Sequence, residues 1–158
     1  MKFEQHFKVE QLNARYVEAI DAGRLEEWPN FFDESGRYTV TTAENLERGL
    51  PLCLIYATSR AMLRDRVRSL RDANIYEAQR YRHIVGVPLV EPVANGTVLA
   101  QTSFIVVRIM HTGDSMLFAS GRYLDRIAID DKQSSSRFIE RAVILDSRQL
   151  DTLLAIPI

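Results

Sequence analysis

At 158 residues, 46% apolar and 26% charged, the chain has the length of one domain and the composition of an ordinary globular protein, which excludes a disordered tail or a collagen-like repeat. Twenty Lys and Arg against 21 Asp and Glu leave a net charge of −1, so no overall positive field exists to hold a polyanion and nucleic acid is not an expected partner. The single cysteine, Cys53, closes no internal disulfide and forms no C-x-x-C pair, and no stretch reaches the roughly 18 uncharged apolar residues of a membrane span; a soluble cytoplasmic protein without an N-terminal leader is expected.

In chain order, Phe7, Leu12, Tyr16, Ala19 and Ile20 recur near helical spacing and predict an amphipathic helix over 4–22, ended by Asp21-Ala22-Gly23. Leu25, Trp28, Phe31 and Phe32 predict a short second helix within 21–33, with Pro29 near its first turn or bending it. Ser35-Gly36 turns the chain into a first strand, Arg37 to Thr42. Residues 43–57 show no assignable pattern. Ser59 to Asn74 is the clearest helix, with Ser59 as N-cap, Asn74 at its C-terminus and Leu63, Val67 and Leu70 as its apolar stripe.

From Tyr76 onward the runs are strand-like: Tyr81 to Val90, a hairpin turn at Asn95-Gly96, then Thr97 to Met110, Met116 to Ile129, a polar loop over 130–136, and Arg137 to Leu145. Helices first and an antiparallel meander after is an α+β order. In the run Thr97 to Met110, Phe104, Val106 and Met110 point to one face and Ile105, Val107 and Ile109 to the other. A sheet apolar on both faces needs a cover on each: the helices on one, and on the other either the sheet curling on itself or a partner protein.

The chemistry-bearing residues are few. A Rieske cluster needs two Cys and two His, and this chain has one Cys and three His. His6, His83 and His111 form no H-x-x-x-H or H-x-E pair, and no G-x-G-x-x-G, P-loop or G-x-S-x-G motif occurs. No catalytic, cofactor-binding or metal-binding residue is therefore assigned. Arg60, Arg64, Arg68 and Arg71 fall within an arc of about 80° on one helix, and Arg66, Arg80 and Arg82 bring residues 60–82 to a net +4 against −5 for the rest. An all-arginine set suits an interface better than bare solubility, so Arg60, Arg64, Arg68, Arg71 and Arg82, with His83 beside them, are the interface candidates. A solvated face or an anionic-ligand site is the alternative for the stripe. His83 reads as a histidine ordering a strand or interface, or as a general base.

The segments Asp21 to Phe32, Met62 to Val67, Asn74 to Glu77, Tyr81 to Gly86 and Phe118 to Tyr123 together resemble the small (beta) subunit of Rieske-type aromatic-ring-hydroxylating dioxygenases, over about Phe7 to Pro157. The resemblance implies a single domain, 1–158, with a cone-shaped nuclear-transport-factor-like (cystatin-like) fold: N-terminal helices packed on a strongly curved antiparallel sheet. It implies a non-catalytic structural chain within an oxidoreductase. The partner would be a large (alpha) subunit carrying the Rieske 2Fe-2S cluster and a mononuclear Fe(II), three large with three small chains, served by a reductase. The holoenzyme would carry out NADH- and O2-dependent cis-dihydroxylation of an aromatic carboxylate such as terephthalate. The alternative is a stand-alone dehydratase or isomerase on the same fold, with His83 as general base and Asp125 and Tyr81 completing a proton-transfer set.

Overall fold

Helix α1 (Lys2–Asp21) turns Leu12, Tyr16, Ala19 and Ile20 inward, as their spacing predicts, together with Val9 and Val17, whereas Phe7, expected on the same face, is exposed because it lies outside the arc these residues share. It stops where Gly23 takes a φ of +77°, with the Gly23 N–H donating to the Ile20 carbonyl at 3.0 Å and the Arg24 N–H to the Ala19 carbonyl at 2.9 Å. These bonds satisfy the helix's last carbonyls, and a residue with a Cβ would be strained there. In the computed structural model, which describes residues 2–73, 78–131, 135–148, 154 and 156–158, the second helix is a 3-10 helix at Leu25–Phe31 with Pro29 inside it. Proline supplies no N–H and crowds an α-helical turn, so a tighter three-residue turn forms and stacks Leu25 with Trp28 toward the core.

Strand β1 (Phe32–Thr42) begins earlier than predicted, at the second aromatic of the pair Phe31-Phe32. The unassigned stretch becomes helix α2 (Ala43–Glu47), capped by Thr42 Oγ1 accepting from the Asn45 N–H at 3.2 Å, and a short strand β2 (Ile55–Ala57). Helix α3 (Arg60–Ala73) starts as expected, with Ser59 Oγ accepting from the Met62 N–H at 3.2 Å. Asn74, its expected end, lies outside the described residues. The run Tyr81 to Val90 divides into β3 (Gln79–Val85) and β4 (Leu89–Pro92) around Gly86-Val87-Pro88. The long strands β5 (Thr97–Met110), β6 (Ser115–Ala128) and β7 (Arg137–Leu145) match their expected limits within one residue. Asn95 at φ +54° and Gly96 at φ +69° form the β4–β5 turn, as the Asn-Gly pair signalled.

The seven strands form one sheet in the order β2-β1-β7-β6-β5-β3, with β4 also on β5. The expected all-antiparallel meander needs one correction: β1 and β7 pair in parallel, Arg37 with Glu140 through Thr42 with Leu145. The crossover through α2, β2 and α3 carries the chain over the sheet, so the last strand enters beside the first in the same direction. Register shifts interrupt the β1–β7, β5–β6 and β6–β7 ladders, and each adds bend and twist to the strands around α1.

The inner face is filled. Trp28, Phe32, Tyr38, Tyr123 and Phe138 are fully buried and meet at edge-to-face or tilted angles with Tyr16, while Phe104 stacks on Tyr123 at 4.5 Å between centroids. Tyr38 donates to the Ile158 carbonyl at 2.8 Å and Trp28 Nε1 to the Tyr16 hydroxyl at 3.0 Å, so three of the polar tips in this aromatic core are paired, while the buried Tyr123 hydroxyl finds no partner among the described residues. The outer face carries the other half of the alternation. Val106 and Phe104 are buried, whereas Ile105 across from Ile84 remains exposed.

Candidate functional site

Three groups of polar residues stand out against this apolar background. The first is closed on itself. Arg141 on β7 donates from Nε and Nη2 to the two Asp125 carboxylate oxygens on β6 at 2.8 and 2.7 Å, and Nη2 also reaches Asn13 Oδ1 on α1 at 2.5 Å. Asn13 Nδ2 donates on to Thr102 Oγ1 at 3.2 Å. The guanidinium carbon lies 3.8 Å from the Tyr123 ring centroid, 3.9 Å from Phe138 and 4.4 Å from Tyr16. Burial acts to strip the proton from Arg141, but the charge and hydrogen bonds of Asp125 outweigh it and hold the guanidinium above its ordinary basicity. The pattern gave no warning of this pair: Arg141 sits in a strand where alternation alone marks an inward residue.

The second group is His83 with Asp21. Asp21, the last residue of α1, accepts from the His83 backbone N–H at 2.8 Å through Oδ2 and from ring Nδ1 at 2.6 Å through Oδ1. A carboxylate only accepts, so Nδ1 carries a proton. Nε2 is buried and finds no partner among the described residues. The pair anchors the end of the helix to β3. Of the proton-transfer set His83, Asp125 and Tyr81, the structure brings His83 and Tyr81 near each other, with rings 6.2 Å apart, but commits Asp125 to Arg141. Asp21 takes the place of Asp125 beside the histidine. A cleft of about 350 Å³ at the end of α1 is lined by Asp21, Arg71, Arg80 and Tyr81, and His83 is not on its wall.

The third group is the arginines. Arg60 is half-buried and donates Nε to the Phe32 carbonyl at 2.9 Å, tying α3 to the start of β1. Arg71 grips both Glu26 oxygens, at 2.7 and 3.0 Å, and the Gly23 carbonyl at 2.6 Å, tying α3 to the 3-10 helix. Its bonds to Glu26 hold that carboxyl below its ordinary pKa. Arg66, between them, reaches the Leu154 carbonyl at 3.1 Å. Arg64 and Arg68 are exposed on α3, Arg68 with a loose contact to Asp65 at 3.8 Å. Arg82 is exposed on β3, on the face opposite Tyr81 and His83. The stripe read from spacing thus contains two different uses of arginine: Arg60 and Arg71 fasten α3 to the body, while Arg64 and Arg68, like Arg82 on β3, meet solvent.

A model of the family described as "Ring hydroxylating beta subunit" matches residues 15–152. The chain belongs to the ring-hydroxylating beta subunit family. It is 42% identical over 151 residues to subunit beta 2 of the terminal oxygenase component of terephthalate 1,2-dioxygenase from a Comamonas species, covering 96% of this chain and 97% of that one. It is 36% identical over 152 residues to the small subunit of anthranilate 1,2-dioxygenase from Burkholderia cepacia, covering 96% and 93%. A crystal structure described as the beta subunit of an aromatic-ring-hydroxylating dioxygenase from Novosphingobium aromaticivorans superposes with a TM-score of 0.89 at 32% identity over 99% of both chains. The nuclear-transport-factor-like α+β fold expected from the sequence is the fold of this beta subunit.

A Rieske cluster or a mononuclear iron does not fit the donors of this beta subunit. Cys53 is a lone exposed thiol, His6 Nε2 pairs with the Pro88 carbonyl at 2.9 Å, His83 is committed to Asp21, and among the described residues no three His, Cys, Asp or Glu side chains converge. Among the described residues no helix is long and apolar enough to cross a membrane.

Proposed function

We propose that residues 1–158 form one domain that serves as the non-catalytic structural subunit of a cytoplasmic ring-hydroxylating dioxygenase. Its partner is a large subunit that carries the Rieske cluster and the catalytic iron, in a complex of three large and three small chains supplied with electrons from NADH by a reductase. The observation that carries this reading is the state of the inner face. There the side chains that enzymes of this shape would aim at a substrate are packed against each other, with Asp125 locked to Arg141 and the aromatic positions fully buried.

The substrate we assign is an aromatic carboxylate such as terephthalate. Terephthalate and anthranilate, named for the two relatives, share a ring-bound carboxylate, and the higher identity is to the terephthalate protein.

Expression of the large subunit with and without this chain tests the proposal. Assembly and ring-dihydroxylating turnover are expected only from the pair. A large subunit that assembles and turns over fully by itself, or turnover by the small chain alone, removes the structural role. We set the dehydratase or isomerase alternative second, because Asp125 is bonded to Arg141 rather than to His83 and, among the described residues, the cleft at the end of α1 does not have His83 on its wall.

A further inference from the structure

The register of the sheet fixes which side chains share the outer face. Across β3, β5 and β6, Ile84 aligns with Ile105 and Ser120, Arg82 with Val107 and Leu117, and Arg80 with Ile109 and Ser115. Ser103 aligns with Arg122 in the next row. Ile84, Ile105 and Leu117 are 57%, 36% and 61% exposed, so this is an apolar centre open on the free chain. Arg80 and Arg82 stand at one side of it and Arg122 at the other. Among the described residues none of these three arginines is held by a carboxylate; the acid at the edge of these rows is Asp146, which accepts from Ser120 Oγ at 2.9 Å. Arg60 and Arg71 on α3 are held by hydrogen bonds within the chain, whereas Arg80, Arg82 and Arg122 edge this apolar centre with no carboxylate partner among the described residues.

We propose that this outer face, centred on Ile84, Ile105 and Leu117, is the surface that docks the large subunit, and that the large subunit presents there an apolar patch edged by carboxylates. The inference rests on the reading of the chain as a small subunit and adds the location and chemistry of the contact. An apolar centre with an arginine rim is the composition of a protein interface, where guanidinium groups tolerate partial desolvation and take carboxylates through two bonds. A second copy of this chain fits the same face poorly. A two-fold contact centred on Ile105 would set three arginines of one copy against three of the other, with Asp146, already bonded to Ser120, as the acid at the edge of the face, which leaves the cations in excess. Arg64 and Arg68 belong to a different surface, on α3, and are assigned no part in this contact.

The test uses the complex. The small chain is co-expressed with its cognate large subunit as wild type, as Arg82→Glu with Leu117→Lys, as Ile84→Lys, and as Arg64→Glu with Arg68→Glu. Mass by light scattering and affinity by titration are read out, with circular dichroism confirming the fold of each variant. Both outer-face variants should bind at least about tenfold more weakly, with the α3 variant unchanged. Wild-type affinity in both outer-face variants, or a loss confined to the α3 variant, overturns the proposal while leaving the structural role intact. A wild-type small chain that self-associates, and becomes monomeric on Leu117→Lys, assigns the face to a second copy and also overturns it. Failure of the wild-type chains to associate at all defeats the structural role itself, so the two failures are distinct.

Discussion

Arg141 and Asp125 form a two-pronged ion pair, at 2.8 and 2.7 Å, with both side chains at zero exposure, in the middle of an aromatic cage. Removing one partner leaves a buried charge with nothing to balance it, whereas removing both leaves only a repacking problem. Arg141→Met or Asp125→Asn alone should therefore lower stability by about 3–5 kcal/mol, and the double variant Arg141→Met with Asp125→Leu should lose less than the sum. Urea midpoints of the three proteins check this; additive losses would show that the two groups do not act as a pair.

Asp21 supports His83 through two bonds, one to the backbone and one to the ring. Asp21→Ala should cost roughly 1–3 kcal/mol, because it orphans a buried N–H and a buried imidazole donor together. Asp21→Asn keeps one acceptor and should fall between. Equal denaturation midpoints for Asp21→Ala and wild type would show that the bonds hold nothing.

Burial raises the phenols of Tyr16, Tyr38 and Tyr123, the last two well above their ordinary value. In the unfolded chain they ionise near pH 10, so above that pH the folded state retains protons the unfolded state has lost. Their contribution to stability is whole below about pH 10 and declines as pH rises through the folded values. Of the six tyrosines in the sequence, these three should stay un-ionised until the fold opens. Absorbance titration followed alongside circular dichroism checks this, and full ionisation before any loss of structure would contradict it.

Gly121 on β6 faces the neighbouring strand so closely that a Cβ would lie 2.0 Å from the Ile144 carbonyl oxygen. Backbone must move to accept any side chain here. Gly121→Ala should destabilise by roughly 1–3 kcal/mol or more, and a thermal midpoint equal to wild type would refute the close approach.

Cys53 is an exposed free thiol between the exposed Leu52 and Leu54. The native chain should react with one equivalent of a thiol reagent without unfolding, while a thiol that reacts only in denaturant would place this segment under cover.

Much of this protein was legible in one dimension. Side-chain alternation set the limits of β5, β6 and β7, Ser59 marked the cap of α3 and Asn95-Gly96 the β4–β5 turn, and one Cys with three His is too few donors for a Rieske cluster. Separated motifs carried the family. These are local or compositional signals, read from residues a few positions apart. Only the tertiary structure decided the parallel seating of β7 on β1, the 62-residue separation bridged by Asp21 and His83, and the 128-residue separation bridged by Arg141 and Asn13. It also divided the arginines into fasteners and free surface groups, because helical spacing gives the angle of a side chain about its own axis but not what the rest of the chain places opposite it.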